Sequence, residues 1–348
     1  MIKEKFIQPI LSKIGYYPVK AKIKRYFYLK KLRREDSARN AKLREQIMAI
    51  DHRILPDVAG GQNLTVSLTT HGKRVADFVP YAIWSILQQT KLPNRIVLNI
   101  DETKWNDDNL PELIKKLQIA GLEVNFCEDV GPHTKFLPAL AKYPNDVIIT
   151  VDDDILYESL AVERLWNAYV QSDKKTVICR MAKEITRDAD GKILPYSKWI
   201  DAPLQVGVGV LSPFGVSGVL YPPHIFRDEI FNKNVFRKYC KGADDIWFTV
   251  MEIVEGIQVL RFDGSRWDEV DVDRVEEWEA SGSDALHFQN CEEGKNDAQL
   301  KALVDYYKID EETELIVLYD DISLNPGQLR RQKHAMLSPS GIPSDAKP

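Results

Sequence analysis

Three consecutive aspartates, Asp152-Asp153-Asp154, follow the apolar run Val147-Ile148-Ile149-Thr150-Val151. In an extended chain residues i and i+2 share a side, so Asp152 and Asp154 point one way and Asp153 the other. Two carboxylates at a strand end repel unless a cation joins them, and an all-oxygen ligand set suits Mg2+ or Mn2+. The competing reading is an acidic turn that caps the next helix. The strand-end position and the tripled charge favour the metal. A second acidic pair, Asp244-Asp245, opens a segment whose next residues are Ile246-Trp247-Phe248. Aspartate at a helix N-terminus caps exposed N–H groups and complements the dipole. One of the two suffices for that, which leaves the other to take a proton from a hydroxyl as a general base.

Other polar groups fall in turns. In Gly131-Pro132-His133-Thr134-Lys135-Phe136 the lysine is placed in the first turn of a helix over 134–142. A cation there opposes the dipole unless a phosphate binds nearby; on this segment alone, an exposed lysine beside a turn is the stronger reading. Thr69-Thr70-His71-Gly72-Lys73-Arg74 offers hydroxyls, an imidazole and two cations that can hold a nucleotide, or is an ordinary polar loop. Asp101 is an acceptor for a base or ribose, or a cap. The glycines of 207–218 let backbone approach a ligand, or simply turn the chain. His287 is a further metal-ligand candidate, although a lone histidine is more often structural. Trp267, Trp278 and the acidic run 268–279 read as a surface segment.

The elements that must position these groups alternate. Strands are expected at 64–69, 95–100, 122–127, 146–151, 176–181, 217–221 and 257–262, with helices at 77–89, 110–119, 134–142, 158–171 and 243–255; residues 184–215 read as irregular. Strand-helix alternation implies crossover connections and a mostly parallel α/β sheet flanked by helices. Ligands then gather at the C-terminal ends of the strands.

Of 348 residues, 44% are hydrophobic and 28% charged, enough for a real core and against wholesale disorder. No apolar run approaches the ~18 residues of a spanning helix, and no signal peptide is read at the N-terminus. Cys127, Cys179, Cys240 and Cys291 are far apart and form no CxxC pair, which fits a reducing cytoplasm. Residues 1–50 hold 14 Lys/Arg against 4 Asp/Glu, while the remainder holds 33 against 48. A basic arm on an acidic body suits an anionic partner for the arm only. Tyr26-Phe27-Tyr28 between Lys24-Arg25 and Lys30-Lys31 suits a helix lying on an anionic membrane; packing on the body or on another protomer is the equal alternative. The acidic body argues against nucleic acid. The expected organisation is a basic helical extension (1–60), an α/β domain (61–320) and a loose polar tail (321–348).

Taken together, these segments resemble a bacterial glycosyltransferase of the GT-A fold, a Rossmann-like mixed sheet, over about residues 62–305. The likeness rests on Thr69-Thr70-His71, on Gly131 to Phe136 and on the strand ending in Asp152-Asp153-Asp154. It extends through Gly218-Val219-Leu220-Tyr221-Pro222-Pro223, Ala243-Asp244-Asp245-Ile246-Trp247 and Asn296-Asp297-Ala298-Gln299. The lysine-phenylalanine element and Asp triplet are also similar to the exostosin-type transferase domain. The resemblance implies a nucleotide-sugar donor, most often a UDP-sugar, and Mn2+ or Mg2+ between the DxD carboxylates and the diphosphate. It implies a glycan or lipid-linked acceptor in surface polysaccharide or glycolipid synthesis, at the cytoplasmic membrane face. Carried over, Asp152 and Asp154 face ribose and metal, with Asp153 beside the donor. Thr69, His71, Arg74 and Asp101 surround the nucleoside, Lys135 lies near the diphosphate or base, and the 207–218 region lines the acceptor side. Asp245 is the catalytic carboxylate, with Asp244 second. A base at Asp245 gives inversion at the anomeric carbon, while the exostosin-like similarity leaves retention open. Two other readings compete. One is a haloacid-dehalogenase-type phosphatase using Asp152-x-Asp154, against which stand Leu156 and the mid-chain position. The other is a non-catalytic sugar- or membrane-binding protein on a transferase-like scaffold.

Overall fold

Strand β1 (Leu64–Thr69) shows how the architecture arises. Leu64, Val66 and Leu68 alternate with Thr65, Ser67 and Thr69, so one face is apolar and the other carries hydroxyls. The apolar face joins a core with Val147, Ile149, Ile178 and Leu220. The hydroxyl face is bonded throughout: Thr65 donates to Asp146 Oδ2 (2.7 Å), Ser67 to the Lys135 carbonyl (2.6 Å) and Thr69 to the Asn99 carbonyl (2.9 Å). A computed structural model describes residues 16–58, 62–202, 204, 211–263, 270–274 and 294–309, with side chains from 24 onward.

Strands β2 (Arg95–Asp101), β3 (Leu122–Cys127), β4 (Val147–Thr150), β6 (Val177–Cys179), β10 (Val219–Tyr221) and β11 (Val259–Arg261) complete the main sheet with β1. The order is β11-β6-β10-β4-β1-β2-β3. β1 pairs parallel with β2 and β4, as does β2 with β3 and β6 with β11; β10 runs antiparallel between β4 and β6. This is the mixed, mostly parallel sheet flanked by helices that the sequence leads one to expect.

Both faces are covered. Helices α3 (Val79–Leu87), α4 (Glu112–Ala120) and α6 (Ala161–Gln171) pack on the face holding Val147 and Ile149. Helices α7 (Lys233–Tyr239), α8 (Asp244–Val254) and α9 (Lys295–Tyr307) pack on the face holding Ile148 and Val219. Strand β4 is therefore buried at every position, because both of its faces are covered, and only its last residue, Thr150, is polar.

The stretch read as irregular, together with the two residues before it, holds a second small sheet: β7 (Ala182–Glu184) pairs antiparallel with β8 (Ile200–Asp201) and β9 (Leu211–Pro213). The strands are two or three residues long, too short to show a period of two in sequence. A third pair joins β5 (Ile155–Leu156) to β12 (Val270–Asp271). The expected 77–89 helix is a short turn α2 (Arg74–Asp77) followed by α3, whose Pro80 lies in the first turn.

The basic helix α1 (Tyr16–Met48) is a long element preceding the sheet. Its later half belongs to the body: Ile47 is fully buried with the core, and Asp36 accepts from Arg274 at 2.7 Å. Among the described residues no helix is long and apolar enough to cross a membrane. Cys127, Cys179 and Cys240 are free thiols. His287, Cys291, residues 207–210, most of the acidic run and the expected tail lie outside the described residues.

Candidate functional site

The sheet order reverses at β1: β2 and β3 lie on one side, β4 on the other. Loops leaving neighbouring strands in opposite directions open a crevice at such a switch point, on the carboxyl ends of the strands. Thr69-Thr70 leave β1 there, and Asp152-Asp153-Asp154 leave β4.

The triplet is a turn rather than a strand extension, but its burial still alternates. Asp153 is buried, and Asp152 and Asp154 are partly exposed. Asp153 is the inward member: Thr70 donates to its Oδ2 at 2.5 Å, and Arg74 grips both oxygens, Nε to Oδ2 at 2.9 Å and Nη2 to Oδ1 at 2.5 Å. The same guanidinium reaches Asp154 Oδ2 at 2.6 Å. Burial alone would lower the Arg74 pKa, and the charges of Asp153 and Asp154 outweigh it to raise it. Burial pushes the Asp154 carboxyl up to about 6, against the pull of Arg74.

Asp152 faces a different cation. Lys135 Nζ lies 2.9 Å from Asp152 Oδ1 and 3.1 Å from Asp244 Oδ2. The lysine side chain is 12% exposed. Burial works against its charge, but Asp152, Asp244 and Asp245 together hold its pKa well above the ordinary value. The carboxyl of Asp245 is pushed up, first by burial and then by the negative charge of Asp244; Lys135 and the Gly215 N–H, which donates to it, oppose the rise.

Local chemistry places each member. Lys135 ends a 3-10 turn, Gly131–Lys135, and does not enter the helix α5 (Leu137–Lys142) that follows. The expected dipole conflict is thereby removed: Phe136 breaks the helical path, and Pro138 starts a new helix. The turn is pinned by two buried rings. His133 stacks on Phe236 at 4.5 Å and Phe136 on Tyr221 at 4.2 Å. Burial lowers the His133 pKa to about 4, so the imidazole is neutral at physiological pH. The Ser67 hydroxyl holds the Lys135 carbonyl from below.

Asp244 and Asp245 form the first turn of α8, yet neither caps it: Ala243 occupies the cap position and no side-chain cap bond is made. The expected side-chain cap is corrected: neither aspartate makes one. Asp244 pairs with Lys135 at 3.1 Å, the charge of Lys135 also acts on Asp245, and both carboxylates still benefit from the helix dipole.

Gly215 completes the cluster. A Cβ there would lie 2.9 Å from Lys135 Nζ, 3.5 Å from Asp152 Oδ1 and 3.6 Å from Asp245 Oδ1. Only glycine lets the backbone come this close. The sequence pointed to this glycine-bearing stretch but not to the residues it approaches. Tyr157 was not foreseen: its hydroxyl accepts from the Asp152 N–H at 2.8 Å and donates to the Val216 carbonyl at 3.0 Å, tying the triplet to the Gly215 turn. A tyrosine directly after a two-residue strand carries no local signal for that role.

Other candidates are placed differently. The Thr69 hydroxyl is spent on β2. His71 is exposed at the crevice side of α2, and its carbonyl accepts from the Arg74 N–H at 3.1 Å. Asp101 organises its own turn, accepting from the Thr103 N–H and hydroxyl and pairing with Lys104 at 2.7 Å; these bonds lower its pKa to about 2. Among the described residues no group of three His, Cys, Asp or Glu side chains is gathered as a metal-ligating set.

No family model and no curated protein matches the sequence. Among solved structures, glucosyl-3-phosphoglycerate synthase from Mycobacterium tuberculosis, in complex with Mn2+, uridine diphosphate and glucosyl-3-phosphoglycerate, is 16% identical over 34% of this chain and 43% of its own, with a TM-score of 0.27. CMP:2-keto-3-deoxy-manno-octonic acid synthetase complexed with CTP is 11% identical over 63% of this chain and 96% of its own, TM-score 0.39. A cytidylyltransferase from Leptospira borgpetersenii is 12% identical over 78% and 99%, TM-score 0.37. The chain spans less than half the length of the first of these. Similarity at this level leaves the functional reading to the residues of the crevice.

Proposed function

We propose that the protein is a glycosyltransferase that moves a sugar from a nucleotide-sugar, a UDP-sugar in the first instance, to a glycan or lipid-linked acceptor in surface polysaccharide or glycolipid synthesis. One observation carries the reading: a buried lysine and three aspartates (Asp152, Asp244 and Asp245) converge at the switch point of a mostly parallel sheet, beside Arg74 on Asp153 and Asp154, where diphosphate-bearing ligands bind.

The chain's own groups divide the work. Lys135 stands beside the diphosphate and stabilises charge that develops on it as the sugar–phosphate bond breaks. Arg74, held on Asp153, keeps the wall of the nucleoside side in place, with Thr69, His71 and Asp101 along the same rim. Asp245, partly exposed and with a raised pKa, takes the proton of the acceptor hydroxyl as that oxygen bonds to the anomeric carbon. Asp244 keeps that pKa high.

A divalent ion fits the donor chemistry present. Mg2+ and Mn2+ are commonly held by one or two carboxylates, with waters and phosphate oxygens completing the shell. Asp152 and Asp154, the two partly exposed members of the triplet, supply hard oxygen donors of that kind. When bound, the ion supplies further positive charge for the departing diphosphate.

The test is a thermal-shift screen of nucleotide sugars with and without Mn2+, followed by donor turnover. One donor should stabilise the protein in the presence of the ion; a ligand at 100 times its Kd adds about 2.7 kcal/mol. Asp154→Ala should abolish turnover. Stabilisation by no donor, with no donor hydrolysis, would favour a non-catalytic scaffold. An aspartyl-phosphate trapped on Asp152 would replace the reading with a phosphatase.

A further inference from the structure

The basic helix α1 changes character along its length. From Leu32 onward it is part of the body. Leu32 is 5% exposed, Asp36 is held by Arg274, and Arg39 and Asn40 donate to the Val272 carbonyl. Before Leu32 the described residues meet water: Tyr26 is 60% exposed, Phe27 63% and Tyr28 50%. Large rings so exposed, and adjacent, are unusual for a surface that stays in water.

Charge surrounds them. Between Lys24 and Arg34 lie Lys24, Arg25, Lys30, Lys31, Arg33 and Arg34, with no acidic residue until Glu35. A rise of about 1.5 Å per residue carries Phe27 about 14 Å beyond the Asp36 anchor. Successive helical residues are turned by about 100°, so three consecutive rings collar some 200° of the circumference instead of forming a stripe. A helix lying flat needs its apolar groups on one side. A collar with cations on both sides suits a helix that enters the headgroup layer obliquely, rings at the interface and cations on the phosphates.

We propose that residues 24–34 of α1 are a docking element for an anionic lipid surface, engaging it by the Tyr26-Phe27-Tyr28 collar and its flanking cations. This does not rest on the transferase reading, because none of these residues touches the crevice. It replaces the flat-lying helix expected from sequence with an oblique one, and it joins the two expectations for the arm: the later half packs on the body and the earlier half is presented outward. The acidic remainder of the chain disfavours a polyanion that would spread along the body, such as a nucleic acid.

The experiment is co-sedimentation of the full chain with vesicles of phosphatidylcholine alone, and with vesicles of equimolar phosphatidylcholine and phosphatidylglycerol. Binding is expected to the anionic vesicles only and to weaken as salt rises. Replacing Lys24, Arg25, Lys30 and Lys31 by Gln should lower partitioning by about fivefold per cation. Replacing Tyr26, Phe27 and Tyr28 by Ser should weaken binding with no change in melting temperature. All of these positions are exposed, so the fold is not at stake. A chain that stays in the supernatant with both vesicles at low salt overturns the proposal. So does binding that survives the ring substitutions. An oligomer dispersed by those substitutions, or oligonucleotide binding that depends on the same residues when vesicles do not bind, assigns the surface elsewhere and overturns it too.

Discussion

Replacing Lys135 by Met tests whether the crevice is held by its central cation. The side chain is 12% exposed, and its ammonium lies within 3.1 Å of two carboxylates and within the field of Asp245. Methionine keeps the length and apolar stem but leaves three aspartates facing one another. Removing one partner of a buried ion pair costs about 3–5 kcal/mol, because the other is left uncompensated. At roughly 2–4 °C per kcal/mol for a domain of this size, the melting temperature should fall by about 10 °C. The decisive measurement is a double-mutant cycle with Asp152→Asn, followed by thermal or urea unfolding. With Asp152 already neutral, removing Lys135 should cost at least ~1 kcal/mol less than in the wild-type background, which is coupling of the size found for contacting charges. A Lys135→Met variant that melts within about 2 °C of wild type, or two substitutions whose effects simply add, would refute the reasoning.

Asp245→Asn should lower turnover by about 10²–10⁴-fold, the range for loss of a general base. It should also change the pH profile of stability. A carboxyl whose folded pKa is raised above its unfolded value contributes fully below about pH 4, and that stability is lost as pH rises toward the folded pKa of about 8. The melting temperature of the Asn variant should therefore gain on wild type across that window; parallel curves would count against the assignment. Gly215→Ala places a methyl 2.9 Å from Lys135 Nζ. It should impair donor binding and turnover far more than folding, seen as a raised KM with a small change in melting temperature. Glu252 is buried on α8 with neither carboxyl oxygen hydrogen-bonded, and burial holds its pKa well above the ordinary value. Glu252→Gln should equal or exceed wild type in stability and remove the part of the stability loss that sets in as pH rises above the ordinary glutamate range; a large destabilisation at neutral pH would show the acid is charged and paired.

Much of the sheet was legible because its signals are local. The apolar run before Asp152 and the spacing of strand and helix segments both report burial that repeats along the chain. The Thr-Ser-Thr alternation of β1 is equally plain, though not its use: those hydroxyls brace the Lys135 turn, Asn99 and Asp146 across 30 residues or more of sequence. The three-strand sheet of β7, β8 and β9 (182–213) leaves no mark in the sequence because its strands are shorter than a detectable period. The 134–142 helix was read one element too early, since a 3-10 turn and an α-helix share near-identical local composition.

Residue types alone determined that this chain carries hard acidic donors at strand and helix ends, a lysine in a glycine-proline turn, and a cationic, ring-bearing arm. Which charges meet was decided only by tertiary structure. Asp152 takes Lys135 while its neighbours Asp153 and Asp154 take Arg74, and Asp244 and Asp245 leave their own helix end uncapped, Asp244 pairing with the lysine instead. Charge pairing depends on distance in space and on the loss of water around each group. Neither is encoded in the order of residues until the sheet brings the ends of β1 and β4 together.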